Sequence, residues 1–524
     1  MTAPPKEKET PKQAAIGLII SFVMVLAFRG FFFETFHIPT GSMAPTLNGQ
    51  HMRLASAQTG FDWAVNPWDE FWQALQQRKM TPPGGFGTIH ITEPVSDLKR
   101  SQPAAFRSGG DRIGIVKYNP LYRPKRWDVV VMRWPAAPDE NYIKRLIGMP
   151  GERVWLVDGD VFVSDAAKPA AEGAWRIVRK PEMAQRAVWW PIFSSEMTPL
   201  DKSHDGRVWT GPWSGEGWDV SGRSYAHAGG GAAALRWDAQ RWPVTDWAPY
   251  NDVPIYVQNI ARFPISDVRV RFGVEPKAEG VGASAVIAAR GQEFRASLEG
   301  GRAALQMRSA GSEAWTDLGS APASLKPGAV TDVELWHADQ AVTLYVDGKR
   351  IARHEYNWTP LERLRAATTL DPERLNAALA QTTGNPLADA RIYKPVGVSI
   401  AVTGAATLHR VGLDRDLHYQ AAEYRVPALA GRAALATHPA NLPELTREEY
   451  FFCGDNSANS TDSRLVDTVD PWVAKRFDAR LGVVHERMVK GRALMVFWPA
   501  AQEFEPIPRA LPFPPDFGRM RFIR

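Results

Sequence analysis

One cysteine, Cys453, in 524 residues excludes an intramolecular disulfide and any cysteine-built zinc site. The eleven histidines contain no HExxH pairing, so the helix-borne zinc hydrolase pattern is missing as well. No metal and no cofactor is expected. With no histidine signature near it, Cys453 reads as a small buried hydrophobe rather than a nucleophile. A dense Lys/Arg block is lacking too, and a net charge of +5 is mild for this length, so nucleic acid is not an expected partner. Wholesale disorder is excluded by 44% hydrophobic and 23% charged residues. The length exceeds what one compact core needs, which predicts two or three folded units.

What is present begins at the N-terminus. Residues 14–28 are almost wholly apolar, and the apolar character resumes after Arg29. The combined span, 14–33, is long enough for a membrane-crossing helix, with Arg29 near the end where its side chain reaches the headgroups. A cleavable signal would need small residues at a cleavage point, whereas Phe31, Phe32, Phe33 and Glu34 follow. The span is therefore expected to stay as an anchor. Lys6, Lys8 and Lys12 against Glu7 and Glu9 modestly favour residues 1–13 on the cytoplasmic side.

Three later segments carry chemistry-bearing residues. In the first, Pro39, Gly41 and Pro45 surround Ser42 and force a stiff exposed turn, which by itself reads equally as a surface loop. The second runs from a strand around residues 128–132 into another around 141–148 that ends at Pro150 and Gly151. Lys144 lies in that apolar strand. Burial there would draw its amine from about 10.4 toward neutrality, as a general base requires, whereas a lysine that snorkels to the surface like Arg145 would stay charged. The third, residues 454–464, is dense in Asp, Asn and Ser that hydrogen-bond their own backbone.

In this order the three segments resemble the serine/lysine signal peptidase I family. The resemblance rests on Ser42, Met43, Pro45, Thr46 and Leu47; on Tyr142, Ile143, Lys144 and Arg145 followed by Gly148, Pro150 and Gly151; and on Gly454, Asp455 and Asn456 through Ser460, Asp462, Ser463 and Arg464. Gly491, Arg492 and Ala493 add a fourth match. The resemblance implies Ser42 as nucleophile and Lys144 as its base, with Ser460 orienting the amine and Asp462 and Arg464 forming a supporting ion pair. It implies an oxyanion hole from the Ser42 backbone N–H and the Thr40 hydroxyl, and a small-residue pocket lined by Phe36, Ile38, Met43, Leu47, Tyr142 and Ile143. Two departures stand out: Thr40 where many relatives have serine, and Ser457 and Ala458 in place of an arginine–aspartate pair.

These readings predict a mainly β protein: residues 1–13 cytoplasmic, 14–33 transmembrane, 34–165 and 441–524 an antiparallel catalytic domain in two parts, with insertions at 51–109 and 166–440. A short helix is expected at 66–79. In the larger insertion, period-two strands at 268–272 and 342–346 and an Asp347-Gly348 hairpin turn predict a β-sandwich, and residues 333–351 resemble the laminin-G or concanavalin-like jelly roll. Residues 361–380 read as a polar helical excursion that projects from it. Twelve of the twenty tryptophans fall between Trp175 and Trp358; core packing is the favoured reading, sugar stacking the rival. By resemblance the partners are exported preproteins and the lipid bilayer, with a glycan or protein ligand open for the insertion. The implied location is the bacterial inner membrane, single-pass, with the catalytic domain extracytoplasmic.

Overall fold

The computed structural model of the chain describes residues 10–66, 88–103, 109–119, 122–169, 172–204, 207–251, 261–424, 426–499 and 517–523. The helix expected at 66–79 lies outside them, apart from residue 66, which is not helical. Residues 14–28 carry no charge and lie in the helix Pro11–Phe31, which the rest of the chain leaves unburied and which is long and apolar enough to cross a membrane. Phe33–His37 follows at once as a strand.

That strand is the edge of an antiparallel sheet. Its order is Phe33–His37, Arg112–Lys117, Val489–Trp498, Val129–Trp134, Ala137–Gly148, Glu449–Cys453 and Val484–His485. Near-continuous apolar runs such as Val129 to Met132 fit strands buried on both faces, and the sheet has an apolar cluster on each side. The last turn of the long strand ends at Gly151, whose positive φ of 79° suits the Pro-Gly signal. A three-stranded sheet, Glu152–Val157, Asp160–Asp165 and Arg176–Ile177, continues from it.

The larger insertion is built around two packed sheets of eight and seven strands sharing one apolar core. Asp347 and Gly348 both have positive φ, 48° and 73°, as a tight hairpin needs. Val268–Pro276 alternates as its sequence suggests, but Ala341–Val346 is buried at every position. Its outer side is covered by Trp189 and Trp336 against Tyr345, a layer that periodicity could not reveal. Of the twelve insertion tryptophans six are buried and six half-buried, so none stands as an exposed stacking platform.

The expected projecting excursion is corrected. Helices Pro360–Ala367 and Pro372–Ala380 dock on the small sheet, where Leu364 and Leu375 meet Trp155 and Phe162. Arg363, which made the segment look polar, is fully buried beside Asp158, Asp160 and Asp267. Asp160, Asp267 and Asp339 lie close enough to suggest a metal cage, but cationic side chains already serve them: Arg363 reaches Asp160 and Asp267, and Lys180 pairs with Asp339.

Candidate active site

Local sequence closes the turn that carries Ser42. Prolines keep it out of helix and strand, and backbone bonds from Ala44 N–H to the Gly41 carbonyl (3.0 Å) and from Leu47 N–H to the Met43 carbonyl (2.9 Å) fold it back. Ile38, Met43 and Leu47 plug into the cluster of Ile113, Val129, Val131 and Ile143. Ser42 is left half-buried at the surface.

Sheet register brings the other partner. Lys144 pairs with Val130, and strand alternation sets it on the same face as Tyr142, whose ring centroid lies 5.3 Å from Nζ. Nζ stands 2.6 Å from Ser42 Oγ across 102 positions of sequence. Lys144 does not snorkel: it is 2% exposed, and burial draws it down to about 8, although Asp462 and Asp455 pull the other way. Roughly a tenth of such amines are neutral at pH 7, against about one in three thousand for an ordinary lysine.

The loop 454–464 holds both residues. Asp462 and Arg464 pair at 2.7 Å, both fully enclosed. Burial alone would raise Asp462, but Arg464 and the N–H groups of Gly454 and Arg464 outweigh it and keep the carboxylate below its usual range. Asn456 N–H donates to the Ser42 carbonyl (3.0 Å), and Gly454 leaves room for that approach: a Cβ there would sit 2.5 Å from the Ser42 carbonyl oxygen and 2.2 Å from Ser460 Oγ.

Other expected site residues fall differently. Ser460 is buried beside the pair, yet its Oγ has no hydrogen-bond partner among the described residues, so the implied Ser460–Lys144 bond is not made. The amine spends its reach on Ser42. Thr40 is exposed, with Gly49 packed on its backbone. Of the six expected pocket residues, Ile38, Met43 and Leu47 are enclosed, Ile143 nearly so, and only Phe36 and Tyr142 keep open surface. The first three form the floor that anchors the turn.

Sequence reasoning missed three ties. Arg145, taken as a surface cation, is buried and pairs with Asp455 at 2.6 Å; Asp455 also accepts from Thr46 Oγ1, joining all three segments. The signal was available: a second cation in an apolar strand needs a buried anion. Ser457 accepts from Arg464 Nη1 (2.7 Å) and from Gln420 N–H (2.8 Å), so the loop lacking the arginine–aspartate pair is braced by the insertion instead. The insertion also supplies Tyr250, whose ring fills the space a Cβ on Gly41 would take, and Asn251, whose amide exchanges bonds of 2.7 and 2.8 Å with Asn456. Asn456 Nδ2 in turn donates to the Gly41 carbonyl at 3.0 Å.

The sequence profile of the signal peptidase, peptidase S26 family matches residues 12–187 and 341–498, which include every residue of this site except Tyr250 and Asn251. The chain belongs to the signal peptidase S26 family. The profile's unmatched stretch, 188–340, holds most of the strands of the sandwich. Signal peptidase I of Pseudomonas aeruginosa is 31% identical over 131 residues, 25% of this chain and 30% of that protein. Signal peptidase I of Rickettsia akari is 45% identical over 86 residues, 15% and 32% of the two chains. The chain thus spans about a third of the length of these relatives. Among solved structures, carbohydrate-binding module CBM66 of Bacillus subtilis aligns with 39% of this chain and 95% of its own at 10% identity and a TM-score of 0.22. The laminarinase of Rhodothermus marinus aligns with 44% and 98% at 11% identity and 0.25. These likenesses carry no functional argument, and the sandwich of this signal peptidase family member rests on its own strand pairing.

Proposed function

We propose that this chain is a membrane-anchored signal peptidase I, a serine endopeptidase that removes signal peptides from exported preproteins after small residues. The observation that carries the reading is the enclosed amine of Lys144 at 2.6 Å from Ser42 Oγ. A neutral Lys144 accepts the hydroxyl proton as Ser42 Oγ attacks the scissile carbonyl, and returns it to the leaving amine. Water then attacks the acyl-enzyme with the same amine as base. The Ser42 N–H and the Thr40 hydroxyl are the proposed donors to the developing oxyanion. Ser460 is the proposed orienting residue, taking the protonated amine once the Ser42 oxygen has become part of the ester.

Anchoring by Pro11–Phe31 places the turn near the bilayer, because only a few residues separate Phe33–His37 from Ser42. The proposed setting is the bacterial inner membrane, crossed once, with the catalytic sheet outside the cytoplasm, where a preprotein is still held by its own apolar segment. The test is cleavage of a purified preprotein by the full chain in detergent, with the new N-terminus mapped by mass spectrometry. Cleavage after a small residue is expected, and Ser42→Ala is expected to abolish it; undiminished cleavage by that variant would overturn the proposal.

A further inference from the structure

The N-terminal helix runs into the sheet that carries Lys144 with almost no linker: one residue, Phe32, separates Pro11–Phe31 from Phe33–His37. Among the described residues no packing along the helix fixes its direction, since its apolar window is unburied, so the tilt is decided at that junction. The Gly30 carbonyl lies in the last turn, where helical carbonyls lose their partners, and residue 34, which would serve it in a longer helix, is already in the strand. Lys117 serves it instead. Its Nζ donates to the Gly30 carbonyl at 2.9 Å and pairs with Glu34 Oε2 at 3.1 Å, while its backbone N–H donates to the Phe32 carbonyl at 3.0 Å. One side chain and its own backbone thus grip the chain before, at and after the junction. A cation there also suits the negative end of the helix dipole, as Arg29 does.

Lys117 closes the strand Arg112–Lys117, which is held between Phe33–His37 and Val489–Trp498. The same strand gives Ile113 and Ile115 to the apolar floor of the Ser42 turn, beside Ile38, Met43 and Leu47. Phe33 packs on Gly114 so closely that an added Cβ would sit 2.3 Å from its ring. The path from the helix end to Ser42 is therefore stiff. Phe31 and Phe32, 73% and 52% exposed, are aromatic residues of the kind that settle at a lipid–water boundary. From Phe33 the chain reaches Ser42 within at most about 30 Å, and a change of tilt of about 20°, inside the spread of membrane helices, moves a point that far from its pivot by about 10 Å.

We propose that Lys117 is a positioning residue that sets the tilt of the sheet against the helix, and with it the height of Ser42 over the bilayer in which a precursor is held. Its consequence for cleavage rests on the peptidase reading; its consequence for orientation does not.

Two measurements on the full chain in vesicles of phosphatidylethanolamine and phosphatidylglycerol test it. A fluorophore on Asn141→Cys, an exposed position near Lys144, reports its height by energy transfer to acceptor-labelled headgroups, and the buried Cys453 stays unlabelled. That height is expected to shift in Lys117→Ala and to return in Lys117→Arg, which keeps a donor for Gly30 and a charge for Glu34. Cleavage is expected to divide by substrate. Lys117→Ala cuts a vesicle-held precursor roughly fivefold more slowly, the population change that follows loss of one hydrogen bond, while kcat/KM for a soluble peptide in detergent and the melting temperature are retained. An unchanged height overturns the proposal, and so does precursor cleavage by Lys117→Ala that equals that of the unaltered chain or falls in step with the peptide. An unaltered chain that cuts neither substrate defeats the peptidase reading, and the height of the fluorophore then decides the role of Lys117 alone.

Discussion

At the residue scale, burial governs how much of Lys144 is neutral and so available as the proposed base. With the amine drawn down to about 8, the neutral fraction grows as pH climbs through that value. The kcat/KM for a precursor peptide is therefore expected to rise from pH 6 through 8 and level off near pH 9; a flat profile over that range would contradict a neutral-lysine base. Lys144→Ala is expected to lose turnover entirely while keeping its melting temperature, since removing a buried amine relieves a desolvation penalty. Ser460 makes a sharper test. Its hydroxyl is buried and unbonded, so Ser460→Ala removes an unmet group and is expected to leave stability equal or higher. If it orients Lys144 during turnover, kcat falls by roughly tenfold or more with KM little changed. A drop in melting temperature with kcat intact would instead mark Ser460 as packing.

Between elements, buried ion pairs and amide bonds hold the turn, the lysine strand and the 454–464 loop in one geometry. Arg145 and Asp455 have 1% and 0% of their side chains exposed, so removing one charge strands the other. Arg145→Met is expected to cost about 3–5 kcal/mol in denaturant unfolding, well beyond an ordinary surface change. The Asn251–Asn456 exchange is gentler. Asn251→Ala is expected to lower kcat several-fold through a looser Gly41 and Ser42 backbone, with Asn251→Gln rescuing part of it; equal losses in both variants, matched by lost stability, would point to folding alone.

For the whole molecule, the N-terminal helix and the sheet that carries Lys144 are separable in packing, because the helix Pro11–Phe31 buries none of its apolar window in the rest of the protein. A chain starting at residue 32 is expected to leave the membrane fraction yet still cleave a soluble peptide. Retention at the membrane would indicate a second lipid-binding surface. The sandwich is not separable in this way: Tyr250, Asn251 and Gln420 brace the Ser42 turn and the loop, and the helices 360–380 bury Arg363 among carboxylates of the small sheet and the sandwich.

What was legible in the amino-acid sequence was whatever local pattern controls: the apolar N-terminal helix, the proline-bound turn at Ser42, the apolar strand around Lys144, the Asp347-Gly348 hairpin and the self-bonded loop at 454–464. Backbone preferences and hydrophobic periodicity act over a few residues, and a few residues suffice to read them. Tertiary structure alone decided the rest, because it turns on which distant groups share a space from which water is excluded. Nothing near Arg145 announces Asp455, nothing near Asn251 announces Asn456, and the helices at 360–380 look solvent-facing until Arg363 meets its three aspartates. The depressed basicity of Lys144 belongs to the same class: a charge loses its hydration only when segments far apart in the chain close over it.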